Sequence, residues 1–271
     1  MTTKPLYQFG RYQPFISDKM QKSPKLSKLI NSIFGYTAMG AYGRQLIFKR
    51  LLEYVPMSKV NRMLDLGCGQ GEFSLMMADA HKDKLVDAVD LDSHAIQKIQ
   101  KAIQHFEINN LRAYNMRVEE LPNNDHYDLI FSVDVFEHIT VEEMPFKACY
   151  DKLKKGGHLI IKMPNKVHQM ILPESWFEEH NEWKEDEHVG QVYELQDLVD
   201  RFKKEGFQIV TAFYSDGIIA RAGWEFNYIM MKGGPILHLI SLPISKSLMK
   251  IDKLFKNRKK GNYIQVVGQK I

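Results

Sequence analysis

Apolar and polar positions change period several times along the 271-residue chain. Residues 1–25 are basic, polar and punctuated by proline, and predict a loosely ordered start. From 26 to 54, Ile33, Phe34, Leu46, Ile47, Leu51 and Leu52 recur at helical spacing, with a break expected around Gly40 and Gly43. An alternation of short apolar runs and amphipathic stretches follows. RMLDLG predicts a first strand and EFSLMMADAH a helix. KLVDAVDLD predicts a second strand, and SHAIQKIQKAIQHF a helix with Ser93 as its N-cap. LRAYNM and YDLIFSVDV predict strands three and four. The fourth is a near-continuous apolar run of the kind found in a strand covered on both faces. VEEMPFKACYDKLKKGG predicts a helix with Pro145 near its first turn and Gly156-Gly157 at its end, followed by strand five in HLIIKMPN.

Beyond strand five the pattern loosens. Residues 173–190 are acidic and aromatic and predict a lid or loop. YELQDLVDRFKKEGF predicts a helix ending at Gly206, and FQIVTAFY and NYIQVVGQKI predict strands six and seven. The fold class is therefore α/β, a doubly wound, seven-stranded, mostly parallel sheet with right-handed crossovers. Residues 1–55 form an N-terminal extension and helical cap. Residues 56–271 form the α/β domain, with a helical insert at 215–260 before the last strand.

The turn after strand one carries the first candidate chemistry. Gly67, Gly69 and Gly71 alternate in LDLGCGQG, a loop that lets a ligand approach the backbone. A Walker-type phosphate loop needs Lys and then Ser or Thr after its last glycine, and Glu72-Phe73 stand there. The dinucleotide fingerprint needs Gly or Ala at position 72, where Glu72 would oppose a pyrophosphate. An acidic residue near a helix start suits a ligand without phosphate. Asp65 could accept a hydrogen bond from an ammonium group, or simply cap the first turn. Asp90, at the end of strand two, could accept from both hydroxyls of a ribose. A ribose, a cationic amino-acid end and no phosphate together describe S-adenosyl-L-methionine.

LDLGCGQG, VDAVDLD, YDLIFSVDVFEHI and LKKGGHLIIKMPN, in this order, resemble the successive motifs of class I S-adenosylmethionine-dependent methyltransferases. The resemblance covers residues 60–213 and points to the branch of small-molecule and quinone-type enzymes. It implies a seven-stranded sheet whose last strand is antiparallel. It implies that Asp65, Gly67, Gly69 and Gly71 line the methionine end of the cofactor. Asp90 would hold the ribose, with Leu91 near the adenine. Val118 would offer its backbone amide there, although Arg117 replaces the Asp that many relatives carry. Ser132, Val133 and Asp134 would lie beside the sulfonium and the acceptor.

Methyl transfer from an activated sulfonium asks mainly for alignment, plus a base when the acceptor is a hydroxyl. His138, after Glu137 at the exit of strand four, is the candidate base, and the two are the candidate catalytic pair. A structural Glu-His pair is the competing reading. A third is a divalent cation, since Asp134, Glu137 and His138 resemble an acidic-x-x-Glu-His arrangement linked to metal in quinone O-methyltransferases. In the lid, His180 and His188 with Glu179 and Glu187 allow a ligand reading against a plain solvated loop. Trp176 and Trp183 read equally as a substrate clamp or as packing.

In the insert, the apolar run from Pro235 to Ile244 is too short to span a bilayer. Lys246, Lys250, Lys253, Lys256, Arg258, Lys259 and Lys260 follow it, with only Asp252 against them. The stretch carries more charge than the net +4 of the whole chain. An apolar helix with a basic flank predicts contact with an anionic membrane through 226–260, or else a cover over the pocket. Either favours a hydrophobic or lipid-linked small-molecule acceptor, with O-methylation ahead of quinone-type C-methylation. A non-catalytic S-adenosylmethionine-binding protein is the alternative from a different class. No nucleic-acid partner is expected, because Asp134-Val135-Phe136-Glu137 stands where base methylases carry an Asn-Pro-Pro-Tyr type motif. Cys68 and Cys149 suggest no disulfide framework. With no secretory leader visible, the expectation is a cytoplasmic protein, peripheral at the inner membrane face.

Overall fold

The computed structural model describes residues 24–140, 143–167, 169–177, 193–255 and 258–271. Glu179, His180, Trp183, Glu187, His188 and Lys256 lie outside the described residues, as does most of the expected lid. Seven strands form one sheet in the order β3-β2-β1-β4-β5-β7-β6. They are β1 (Arg62–Leu66), β2 (Leu85–Asp90), β3 (Leu111–Asn115), β4 (Tyr127–Val133), β5 (Leu153–Pro164), β6 (Phe207–Ser215) and β7 (Tyr263–Lys270). The first five pair in parallel, and β7 runs antiparallel to both β5 and β6. Residues such as Leu64 and Ile130 point to one face and Met63 and Phe131 to the other, so the central strands bury both faces and read as apolar runs.

Helices α1 (Pro24–Phe34) and α2 (Met39–Leu52) precede the sheet. Their break falls at Gly35, whose φ of 65° ends α1, and not at Gly40 or Gly43. Gly43 lies inside α2, where a Cβ would come within 2.7 Å of the tip of the Met249 side chain. Helices α3 (Glu72–Ala80), α4 (Ser93–His105), α5 (Phe146–Lys152) and α6 (Leu195–Lys204) flank the sheet. The cap of α4 is Asp92, which accepts from the N–H of His94, while Ser93 is the first helical residue.

The helix expected through Gly157 stops at Lys152, and Gly156-Gly157 belong to β5. A Cβ on Gly157 would meet the carbonyls of Lys154 and Tyr127 at 2.8 and 3.1 Å. The glycine pair therefore serves a close strand crossing, where the β4–β5 register shifts between Tyr127 and Leu129. The insert is a hairpin of α7 (Ile218–Lys232) and α8 (Pro235–Asp252), packed against α2.

Candidate active site

The strand ends and the cap helices meet over the C-terminal edge of the sheet, where doubly wound folds bind ligands. All three loop glycines have positive φ, at 71°, 49° and 86°, conformations costly for other residues. A Cβ on Gly67 would stand 2.4 Å from Val135, and one on Gly71 2.8 Å from Ile99. At Gly69 a Cβ would meet nothing within 4 Å, so this glycine faces open space. The amides of Gly67 and Cys68 both donate to the Val89 carbonyl, and the Gly69 amide donates to Asp90 Oδ2 at 2.7 Å. The loop is thus tied to the end of β2.

Asp90 Oδ1 accepts from the amide of Asp92 at 2.9 Å, which leaves each carboxylate oxygen a further lone pair. Leu91 beside it is exposed and Val118 is buried in the turn Val118–Glu120. Asp65 lies beneath the loop and takes the Ser74 hydroxyl at 2.5 Å. It also takes the Ser74 amide, which is the capping role open to it from sequence. Ser132 donates to the Leu66 carbonyl at 3.0 Å, so its hydroxyl joins β4 to β1 and is not turned to a ligand. Val133 is buried next to it. With three glycines, a carboxylate at the end of β2 and Glu72 in place of a cation at the helix start, the donor set fits a ribose and an amino-acid end. It does not fit a phosphate.

Across the strand ends lies a cavity of about 340 Å³. Asp134, Glu137 and His138 form one wall, Met39, Leu46 and Ile47 the cap, and Trp224 and Met249 the hairpin side. Asp134 adopts φ 55° and Asp216, at the β6–α7 junction, φ 56°; both line this cavity. Lys162 donates to both oxygens of Asp134 at 2.6 and 2.8 Å, and its Nζ sits 3.5 Å from the Tyr263 ring centroid. Arg44 reaches Glu72 at 3.3 Å and approaches Asp134 to 4.0 Å. Asp134 is therefore held between two cations. Among the described residues, no three His, Cys, Asp or Glu side chains converge as a metal site, so Asp134, Glu137 and His138 do not assemble the cation ligands their spacing suggested.

Glu137 is 1% exposed, and among the described residues no donor reaches its Oε2. Burial, then the Asp134 charge, push its carboxyl up to about 8. Burial likewise pushes Asp65 up to about 7 and Asp216 up to about 6. Trp176 is half exposed in the turn Glu174–Phe177, and the next residue, Phe177, packs on the Trp224–Tyr228 stack of α7, whose centroids are 5.2 Å apart. Sequence reasoning passed over Lys162, Arg44, Asp216 and Tyr263. The available signal was Lys162, a charge inside the apolar run HLIIKMPN.

Asp65, Glu137 and Asp216, with Glu72 raised by the same burial, set a pH dependence. Near neutrality these carboxyls retain protons in the folded chain that the unfolded chain has released, so their contribution to stability falls as pH rises from about 4 to about 8, while burial of His81, His126 and His158, which lowers their pKa, contributes the opposite slope. Each retained proton lowers stability by up to about 1.4 kcal/mol per pH unit within its window. Scanning calorimetry of the ligand-free chain and of Glu137→Gln between about pH 5 and about pH 8 isolates one of these carboxyls, since the histidine slope is common to both. Glu137→Gln should flatten the upper part of the carboxyl slope. Identical pH slopes for the parent and Glu137→Gln would refute the assignment.

The family profile described as a methyltransferase domain matches residues 39–212. Among curated relatives, the tRNA U34 carboxymethyltransferase of Pseudomonas savastanoi pv. phaseolicola is 32% identical over 132 residues, 46% of this chain and 40% of that protein. The malonyl-[acyl-carrier protein] O-methyltransferase of Marinomonas sp. is 23% identical over 203 residues, 74% of this chain and 71% of that protein. The chain thus spans 40% of the length of the tRNA-modifying relative. The solved phosphoethanolamine N-methyltransferase 2 of Haemonchus contortus, in complex with S-adenosyl-L-methionine, overlays with a TM-score of 0.58 at 18% identity. That overlay covers 94% of this chain and 60% of the other, and at this identity it speaks for the fold.

Proposed function

The chain belongs to the class I S-adenosylmethionine-dependent methyltransferases, and on that premise we propose that it methylates a hydroxyl on a small hydrophobic or lipid-linked acceptor. The observation that carries this reading is the cavity beside the glycine loop, with an apolar cap on one side and Glu137 and His138 on the other. The loop glycines and Asp90 would hold S-adenosyl-L-methionine, which supplies a methyl group already activated by its positive sulfur.

The remaining work falls to the chain. Leu46, Ile47 and Trp224 seat the acceptor's apolar body and keep water out. His138 accepts the hydroxyl proton as the oxygen becomes nucleophilic. Glu137, whose carboxyl is pushed up to about 8 by burial, would keep a hydrogen to donate, and its Oε2 has no partner among the described residues, so it is placed to fix the acceptor's orientation. Lys162 and Arg44 neutralise Asp134, which keeps that wall from carrying a bare charge.

The test uses S-adenosylmethionine labelled in its methyl group and panels of phenols, hydroquinones and glycolipids. Label should pass to an apolar hydroxyl compound, with release of S-adenosylhomocysteine. Transfer only to carbon would favour the quinone-type C-methyltransferase reading. Cofactor binding by calorimetry with no transfer to any acceptor would favour a non-catalytic binding protein.

A further inference from the structure

Helix α8 is amphipathic with its polarity inverted. The face it turns to the protein carries Ser241, Ser245 and Asp252 along with Leu242 and Met249. The face it turns outward carries Ile236, Ile240, Ile244 and Ile251, exposed at 73, 60, 52 and 46%. Leu254 and Phe255 extend this stripe beyond the helix end. A helix on a water-soluble domain normally does the reverse.

The inward face explains how the hairpin holds together without those isoleucines. Asn227 of α7 donates to the Ser241 hydroxyl at 2.7 Å. A Cβ on Gly223 of α7 would stand 2.8 Å from the Ser245 carbonyl, so the two backbones approach closely. Small residues and interhelical hydrogen bonds inside, with branched apolar side chains outside, are how helices pack in lipid. Helix α1 extends the apolar surface with Leu26, Leu29 and Ile33, all exposed. Its end is fastened to α8 where Lys246 donates to the Phe34 carbonyl.

The charges beside the stripe are fewer than the sequence count implies. Arg258 is paired with Asp252 at 2.8 Å, and Lys246 is spent on Phe34. Lys250, on α8 itself, and Lys259 and Lys260, just after Arg258, remain exposed. No described helix is long and apolar enough to cross a membrane.

We propose that the outward face of α8, with α1 beside it, lies flat in the headgroup layer of an anionic lipid bilayer, the isoleucines buried and Lys250, Lys259 and Lys260 at the phosphates. The inner face of the same helix, through Met249 and Asp252, walls the acceptor cavity. Docking therefore brings that cavity against the bilayer; this consequence rests on the methyl-transfer reading, whereas the docking itself does not.

Co-sedimentation of the full chain tests it, using phosphatidylcholine vesicles with about 30% phosphatidylglycerol at low salt. The chain should pellet with these vesicles, detach as salt rises, and ignore pure phosphatidylcholine. Ile240→Asp with Ile244→Asp should weaken partitioning by at least about tenfold. Lys250→Glu, Lys259→Glu and Lys260→Glu together should weaken it by about a hundredfold or more, at about fivefold per lysine. Both variants should keep the native circular dichroism spectrum and unchanged S-adenosylmethionine binding by calorimetry, so a failed cofactor reading and a failed docking surface look different. A chain that stays in the supernatant overturns the proposal. So does an isoleucine double variant that binds as well as the parent. A lipid-free dimer that Ile240→Asp splits would assign the face to a second copy. Binding that appears only after removal of residues 2–23 would assign it to the chain's own start.

Discussion

His138→Ala is expected to lower turnover by ~10²–10⁴, with cofactor affinity unchanged. The residue closes the short turn Phe136–His138 at the exit of β4 and lines the cavity on the acceptor side. Losing a base there removes proton transfer and leaves the glycine loop intact. The contrast with a merely structural role is measurable. In that case the melting temperature would drop while the folded fraction kept its specific activity. Single-turnover rates with labelled cofactor, measured alongside calorimetric binding, separate the two. A chelator should leave the parent's rate unchanged. Loss that added Mg restores would instead bring back the metal reading of Asp134, Glu137 and His138.

The second large effect is on cofactor binding. Asp90→Ala should weaken S-adenosylmethionine by about 10- to 100-fold, since a hydrogen-bonded charged partner contributes ~1.5–3 kcal/mol. The structure adds a second reason for the loss, because Asp90 also accepts from the Gly69 amide and so fixes the loop. Asp92→Ala is the control. It removes the cap of α4, at a cost of about 1 kcal/mol in stability, without touching the loop. Calorimetry should find its affinity close to the parent's. Equal affinities for parent and Asp90→Ala would remove Asp90 from the cofactor site.

The strands were legible because a parallel sheet covered on both faces needs mostly apolar runs, and LDLG, VDAVD and YDLIFSV are such runs once Asp65, Asp87, Asp90 and Asp128 are set aside. The turn glycines were legible for a related reason, since positive φ leaves few alternatives. Gly156-Gly157 misled because a glycine pair after lysines signals a helix end as well as it signals a tight strand crossing. The local sequence holds no trace of the Tyr127 carbonyl that decides between them. Asp134, Glu137 and His138 in the cavity wall were legible from sequence, but the partners of its charges were not, for the same physical reason. Lys162 meets Asp134 from 28 residues away, and Arg44 reaches Glu72 from a separate helix, so neither pair leaves a periodic mark. Helix α8 was legible as an apolar stretch but not in its orientation. Its apolar count was correct, but composition cannot say which face the protein keeps.

The position of β7 in the sheet has a consequence for synthesis. Among the described residues, strand β6 has no neighbour except β7, and β7 is also what covers the outer edge of β5. A nascent chain emerges N-terminus first at roughly 5–20 residues per second. Until residues 263–270 are made, β5 ends in an open edge, and β6 with the α7–α8 hairpin has no place in the sheet. During that interval the outward isoleucines and an unpaired strand edge are presented together, a combination that invites aggregation. The last eight residues of β7 therefore act as a zipper closed from the translation side, and interruptions of translation just short of them should be the most damaging to yield.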